Sequence, residues 1–172
     1  MPVVRIHYPT TSTFTTHKER KALADDITDM YISYGLPAFY AVTLYYPLPD
    51  DHIFVGGRDD DNTEPPLVRI MFDHIARTIE SLEQGMQFFA GVDKILKKHI
   101  LDKGYDYEYH LIESPREYCK MNGMYLPPND SEAEAVWVKE NRPSHYKGME
   151  RPTISFPPMQ MRAEYKELVS QA

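Results

Sequence analysis

The sequence predicts an α/β (α+β) fold built from a tandem β-α-β repeat, with a four-stranded mixed sheet, two helices on one face, short C-terminal helices and an extended arm. Two observations predict it. The order strand, helix, strand occurs twice, as judged from the period of the apolar residues. The opening strands begin at Val3 and Leu67 and the closing strands at Ala38 and Tyr105, which are offsets of 64 and 67 residues. A nearly constant offset indicates an internal repeat.

The first unit begins with VVRIHY, in which β-branched and aromatic residues alternate between two faces, as is typical of a strand. THKE then forms a capping box, with Thr16 as the cap and Glu19 three residues later, and apolar residues recur at helical spacing as far as Gly35. Residues 38–46 have large side chains on both faces. They predict a strand that is buried on both sides.

The second unit repeats this order. PLVRIMFD predicts a strand, and YDYEYHLI alternates as a strand does. Between them, the segment from Thr78 to Gly104 predicts a helix. Its expected apolar stripe consists of Ile79, Leu82, Met86, Phe89 and Leu96. Because both helices lie on one face of the sheet, nothing within the repeats covers the other face, and we expect an oligomer to cover it.

The connections are less regular. IFVGG predicts a short extended piece with a turn at Gly56 and Gly57, and DDDNTEPP predicts an exposed acidic loop without the spacing of a calcium loop. SPRE predicts a helix that begins after Ser114 and stops at Gly123. SEAEAVWVKEN predicts a short helix that begins after Ser131.

The chain divides near residue 130. Residues 2–130 form the repeat domain, and residues 131–172 form a C-terminal helix, anchored by Trp137, and a proline-rich arm. Four prolines after Arg142 exclude a long helix or a central strand there, although MRAEYKELV predicts a last helical turn. We expect the arm to lie on the body or on a neighbouring subunit.

Composition excludes several functions. The net charge of −7 and the lack of a basic run argue against nucleic-acid binding, and no apolar stretch is long enough to cross a membrane. The N-terminus lacks the apolar core of a signal peptide, so we expect a cytoplasmic protein. The single cysteine, Cys119, excludes an intrachain disulfide and is interpreted as a small filler. The seven histidines show no HxxxH or HxH spacing, so we predict no metal and no cofactor.

The N-terminus itself points to chemistry. Methionine before a small residue is usually removed, which would leave Pro2 with a free secondary amine at the start of a strand. An α-amino group has an ordinary pKa of about 7.7–8.0, close to neutrality, and burial or nearby cations lower it further.

Several of these features occur together, in order, over residues 2 to about 128. They are Pro2 opening a strand, the doubled strand–helix–strand, IFVGG in the connection, the arginine of FDHIART, and SPREYCKMNGMYLP. Together they resemble the tautomerase superfamily, and most closely its cis-3-chloroacrylic acid dehalogenase-like group, with fungal-type oxalocrotonate tautomerase-like proteins.

The resemblance implies a homotrimer whose sheets pack around a central axis. It also implies a tautomerase or isomerase that acts on a small 2-oxo or unsaturated carboxylate, with Pro2 as the general acid or base. Arg77 matches one of the family's two carboxylate-binding arginines, and His74 falls where the other would be.

The sequence departs from the dehalogenase pattern at three positions. Tyr31 stands where the dehalogenase has a substrate-binding histidine, and His110 stands where it has a tyrosine that positions water. Met121 stands in the place of the glutamate that activates water. Hydration or dehalogenation would need Glu113 or Glu117 instead. Tautomerisation needs only the proline and a carboxylate anchor, so we favour it.

Other interpretations of these residues stay open. His74 could form a surface pair with Asp73, and Arg77 could form an ordinary salt bridge. Tyr31 could belong to the core, and His110 could be a solvated side chain. The alternative function is a catalytically idle trimeric scaffold or small-molecule-binding protein, which would tolerate a retained Met1.

Overall fold

The structure is a computed structural model, and it describes residues 1–11, 13–59 and 65–150. The strands are β1 (Pro2–Pro9), β2 (Val42–Leu48), β3 (Phe54–Val55), β4 (Arg58–Asp59), β5 (Leu67–Ile75), β6 (Asp106–Ser114), β7 (Lys120–Met121) and β8 (Met124–Tyr125). The helices are α1 (His17–Ser33), α2 (Leu82–His99) and α3 (Glu132–Glu140).

The main sheet confirms the predicted repeat. Its strand order is β2-β1-β5-β6. Within each unit the two strands are parallel, and the central strands β1 and β5 are antiparallel. The start of β1 therefore lies beside the end of β5, where Pro2 pairs with His74.

One face of the sheet forms the main core with α1 and α2. Alternate residues of β1 and β5 point into it, among them Ile6 and Ile70, both fully buried. Helix α1 begins at the predicted capping box, in which the Glu19 amide donates to the Thr16 hydroxyl and the Thr16 amide to the Glu19 carboxylate.

The closing strand of the first unit differs from the prediction. Residues Ala38–Tyr40 form a 3₁₀ turn, and β2 then runs from Val42 to Leu48. It is an edge strand with Leu44 and Tyr46 exposed, so it is not buried on both sides within one chain. The strand continues through Pro47, beyond the predicted end at residue 46, because an edge strand tolerates proline.

Helix α2 begins later than predicted. Ser81 caps it by accepting a hydrogen bond from the Gln84 amide, so Ile79 precedes the helix. Of the predicted apolar stripe, Leu96 is buried and Ile79 and Phe89 pack against the main core, whereas Leu82 and Met86 are 82% and 64% exposed. The residues that α2 buries are Gly85, Phe88, Val92, Leu96 and His99.

The helix predicted from Ser114 to Gly123 is also wrong. A 3₁₀ turn at Arg116–Tyr118 is followed by the hairpin of β7 and β8. Asn122 and Gly123 form its turn with φ of 52° and 80°, and an Asn-Gly pair favours such turns because both residues adopt positive φ readily. The short β3–β4 hairpin, by contrast, turns at Gly56 and Gly57 as predicted.

Helix α3 follows Ser131 as predicted and builds a second, smaller core. Trp137 is fully buried and donates through Nε1 to the Ser144 carbonyl at 2.7 Å. The buried members of this second core are Leu36, Tyr40, Met124, Leu126 and Trp137. The acidic loop at 60–64 and the end of the arm, with its predicted last turn, lie outside the described residues, and the division at residue 130 stays a prediction.

None of the helices in residues 1–11, 13–59 and 65–150 is long and apolar enough to cross a membrane.

Candidate active site

A cavity of about 310 Å³ lies where β1 begins and β5 ends. It is on the helix side of the sheet, because Pro2 and His74 continue the buried positions of their strands. Four of the five predicted site residues line it: Pro2, Tyr31, His74 and Arg77. Its other lining residues are Met1, Tyr34, Leu36, Thr78, Ile79, Gln84, Gln87 and Phe88.

The N-terminus forms one wall of the cavity. The Met1 carbonyl accepts from the Ile75 amide at 3.0 Å, and the terminal amine donates to the Ile75 carbonyl, which extends the pairing of β1 with β5 by one residue. Burial lowers the pKa of this amine to about 5; Arg77 also lowers it, whereas Cys119 and Glu134 raise it. The Met1 amine is therefore unprotonated at neutral pH.

His74 and Tyr31 form a buried polar pair. The His74 Nε2 and the Tyr31 hydroxyl are 2.9 Å apart, and the His74 ring packs edge-on against Phe88. Burial, and next the positive N-terminal amine, lower the pKa of His74 to about 4. His74 lies where the resemblance placed a second carboxylate-binding cation, but it is neutral and would bind a carboxylate by a hydrogen bond.

Arg77 is the cation of the cavity, and it already has a partner. It follows β5 after Ala76, whose φ is 65°, and its Nη2 donates to both oxygens of Glu134 at 3.0 and 3.1 Å. Glu134 is buried in the first turn of α3, where the Asp130 amide also donates to it at 2.7 Å. Helix α3 thus fixes the position of the arginine through Glu134.

The sequence analysis missed Glu134. The signal was present, since Ser131 followed three residues later by Glu134 is the pattern of a capping box. Ser131 does accept from the Glu134 amide, but the glutamate side chain turns towards Arg77, 57 residues earlier in the chain. Local sequence therefore explains the helix start and not the ion pair.

Neither carboxylate proposed in place of Met121 lines the cavity. Glu113 accepts from the Ile79 amide at 2.6 Å and so holds the loop before α2. Glu117 lies 3.5 Å from Arg116, and Met121 packs against the second core. His110 is exposed on the opposite face of the sheet, beside Met71 in register, and does not line the cavity.

Within residues 1–11, 13–59 and 65–150, no group of three or more His, Cys, Asp or Glu side chains is arranged to hold a metal ion.

Comparison with known families agrees with this fold. The sequence pattern of the family described as "Putative oxalocrotonate tautomerase enzyme" matches residues 1–142 of the chain. The chain belongs to this tautomerase family.

Solved structures place this tautomerase among similar proteins. One from the thermophilic fungus Aspergillus fumigatus is 37% identical, with 85% of this chain and 98% of that chain covered and a TM-score of 0.77. Native RhCC from Rhodococcus jostii RHA1 is 34% identical, with 84% of this chain and 99% of that chain covered and a TM-score of 0.76. A comparison with curated proteins finds no match.

A more distant structure shares the fold alone. N1, a member of the cis-3-chloroacrylic acid dehalogenase family, is 18% identical, with 81% of this chain and 97% of that chain covered and a TM-score of 0.57. The predicted resemblance to the tautomerase superfamily is confirmed by the family match over residues 1–142, and the likeness to the dehalogenase family member N1 is one of fold.

Proposed function

We propose that this tautomerase uses the amine of Pro2, freed by removal of Met1, as the general acid and base in keto–enol isomerisation of a small 2-oxo or unsaturated carboxylate. The observation that carries the proposal is the position of Pro2, buried at the start of β1 beside a cavity that contains Arg77. While Met1 is attached, the Pro2 nitrogen is an amide nitrogen and cannot accept a proton.

The proposed roles follow from charge and burial. Arg77 binds the substrate carboxylate, and neutral His74 and Tyr31 complete the site as hydrogen-bonding groups. Pro2 replaces Met1 as the terminal amine, and we expect burial at this strand end, which lowers the pKa of the Met1 amine, to lower that of Pro2 as well. It then takes a proton from the substrate and returns it at another atom.

His110 enters this proposal through a homotrimer. The outer face of the sheet carries Leu44, Tyr46, Met71 and Ile112 beside His110, together with the ion pairs Arg5–Asp73 and Arg69–Glu108. Its apolar side chains favour burial against other copies. An assembly around this face would place His110 at the contact between copies. A fused 4-oxalocrotonate tautomerase of the same fold, 18% identical, is described as an asymmetric trimer.

A second function has an observation in its favour. Because Arg77 is paired with Glu134 and Met121 supplies no base, the chain could bind a small carboxylate without transforming it. Hydration and dehalogenation of unsaturated acids are also disfavoured, because both need a base that activates water. Met121 supplies none, and the Glu113 carboxylate already accepts a hydrogen bond from the Ile79 amide.

The test combines mass and activity. The intact mass of the untagged protein reports whether Met1 is removed, and an ultraviolet assay of phenylenolpyruvate ketonisation reports proton transfer. We expect the processed protein to be active, the Pro2→Ala variant to lose the activity, and protein made with methionine aminopeptidase inhibited to be inactive. Equal activity in the Pro2→Ala variant would overturn proline catalysis, and no activity in processed protein would leave the binding function in its place.

A further inference from the structure

The hydroxyl of Tyr40 is buried without a hydrogen-bond partner. The residue is 3% exposed, and of the tyrosines in the described part of the chain it is the one whose buried hydroxyl has no partner. The Tyr31 hydroxyl, by contrast, is bonded to His74. Buried hydroxyls are bonded in the large majority of cases, so a ligand is a natural partner for this one.

The ring of Tyr40 is held in place by other aromatic rings. Phe39 lies edge-on to it at 4.8 Å between centroids, and Trp137 does so at 6.1 Å. Burial raises the pKa of Tyr40, and the charges of Glu134 and Arg77 act on it as well. The hydroxyl therefore stays protonated and can donate a hydrogen bond near the arginine of the cavity.

Met1 borders both the cavity and the second core. It lines the cavity on one side, and on the other it packs against the second core, to which Tyr40 belongs. The proposed function requires removal of Met1. The space that it leaves would extend the cavity towards the second core, where the Tyr40 hydroxyl has no partner.

We propose that, in the protein without Met1, the Tyr40 hydroxyl donates a hydrogen bond to the oxygen on C2 of a 2-oxo carboxylate whose carboxylate group is bound by Arg77. The carboxylate carbon is bonded directly to C2, so a donor near Arg77 can reach that oxygen. This assignment rests on the proposed function and adds a catalytic residue to it.

The step is balanced without a co-reactant. In ketonisation, the Pro2 nitrogen takes the proton of the enol hydroxyl, which leaves an enolate with negative charge on the C2 oxygen and on C3. Tyr40 stabilises that charge by its hydrogen bond. Protonated Pro2 then delivers the same proton to C3, the C2–O double bond forms, and the C2–C3 double bond becomes single.

The experiment compares two hydroxyl deletions in the second core. Tyr40→Phe removes the unpartnered hydroxyl, whereas Tyr146→Phe removes one that donates to the carbonyls of Tyr125 and Leu126. We expect Tyr40→Phe to lower kcat for phenylenolpyruvate about 100-fold, the effect of losing one such donor, with KM within about twofold of the parent. We expect Tyr146→Phe to keep kcat and to lower the melting temperature.

Three outcomes separate this assignment from the proposed function. If Pro2→Ala is inactive and Tyr40→Phe has the parent's kcat, the role of Tyr40 is overturned while proline catalysis stands. If the processed parent is inactive, the proposed function fails and the hydrogen bond is judged by calorimetric titration with phenylpyruvate. A Kd about tenfold weaker in Tyr40→Phe supports the contact, and an equal Kd or no binding to either protein overturns it.

Discussion

Arg77 and Glu134 form an ion pair that connects the cavity to the C-terminal helix. One guanidinium nitrogen donates to both carboxylate oxygens, at 3.0 and 3.1 Å, and the glutamate side chain is only 7% exposed. A substrate carboxylate that binds Arg77 must share this nitrogen with Glu134 or approach the other guanidinium nitrogens. The pair therefore sets both the position of the arginine and the charge that a substrate meets.

Replacing Glu134 with glutamine should strengthen substrate binding. The amide keeps an oxygen for the Asp130 amide but removes the negative charge that repels the substrate carboxylate. We expect KM for phenylenolpyruvate to fall by about tenfold, equivalent to ~1.4 kcal/mol. Glu132→Gln, an exposed change in the same helical turn, should leave KM unchanged. A higher KM in Glu134→Gln would mean that the glutamate's role in positioning Arg77 outweighs its charge.

His74 should make the fold less stable in mild acid. Its pKa is lowered to about 4 in the folded chain, against about 6.5 in the unfolded chain, so the unfolded state binds more protons between these values. Stability from this residue is present above pH 6.5 and is lost as the pH falls towards 4. Between pH 7 and pH 5 the loss amounts to about 2 kcal/mol.

Urea unfolding at pH 7 and pH 5 measures this loss. The parent should lose about 2 kcal/mol more than His74→Gln, because glutamine has no proton to gain in this range. His52→Gln, which changes an exposed histidine, should behave as the parent does. An equal loss in the parent and in His74→Gln would show that His74 titrates alike in both states.

Short-range signals predicted much of this fold. The Thr16 capping box and the alternation of β1 depend on neighbours along the chain, and both were confirmed. The start of α2 was misplaced because an apolar count from Ile79 competed with the cap at Ser81. SPRE was interpreted as a helix start although the Asn-Gly turn that follows favours a hairpin.

The site was predictable only where strand pairing determines it. Pro2 and His74 meet because the start of β1 lies beside the end of β5, which follows from the repeat once its two halves pair antiparallel. The Arg77–Glu134 pair could not be predicted, because it depends on how α3 docks. The exposed side chain of His110 does follow from alternation along β6, which puts Tyr109 on the helix side.

The outer face of the sheet should hold the oligomer together. Leu44→Asp places a carboxylate on this face, in register with Arg5, where burial against another copy would strip it of water. We expect sedimentation to give a trimer mass for the parent and a monomer mass for Leu44→Asp. Leu82→Asp, a change at an exposed position at the start of α2, is the matched control and should remain a trimer. A trimer in Leu44→Asp would place the interface elsewhere.

The pH dependence of kcat/KM should report the amine of Pro2. Proton uptake from the enol requires the unprotonated amine, so activity should fall on the acid side with an inflection well below the ordinary 7.7–8.0 of an α-amine. Burial is the main cause expected, as it is for the Met1 amine at the same strand end, and Arg77 adds to it. Removing the cation in Arg77→Leu should therefore move the inflection to higher pH and raise KM. Lys94→Leu, which removes a charge from the exposed side of α2, should move neither. An inflection in Arg77→Leu at the parent's pH would separate the arginine from the acid–base chemistry and leave it as a carboxylate anchor alone.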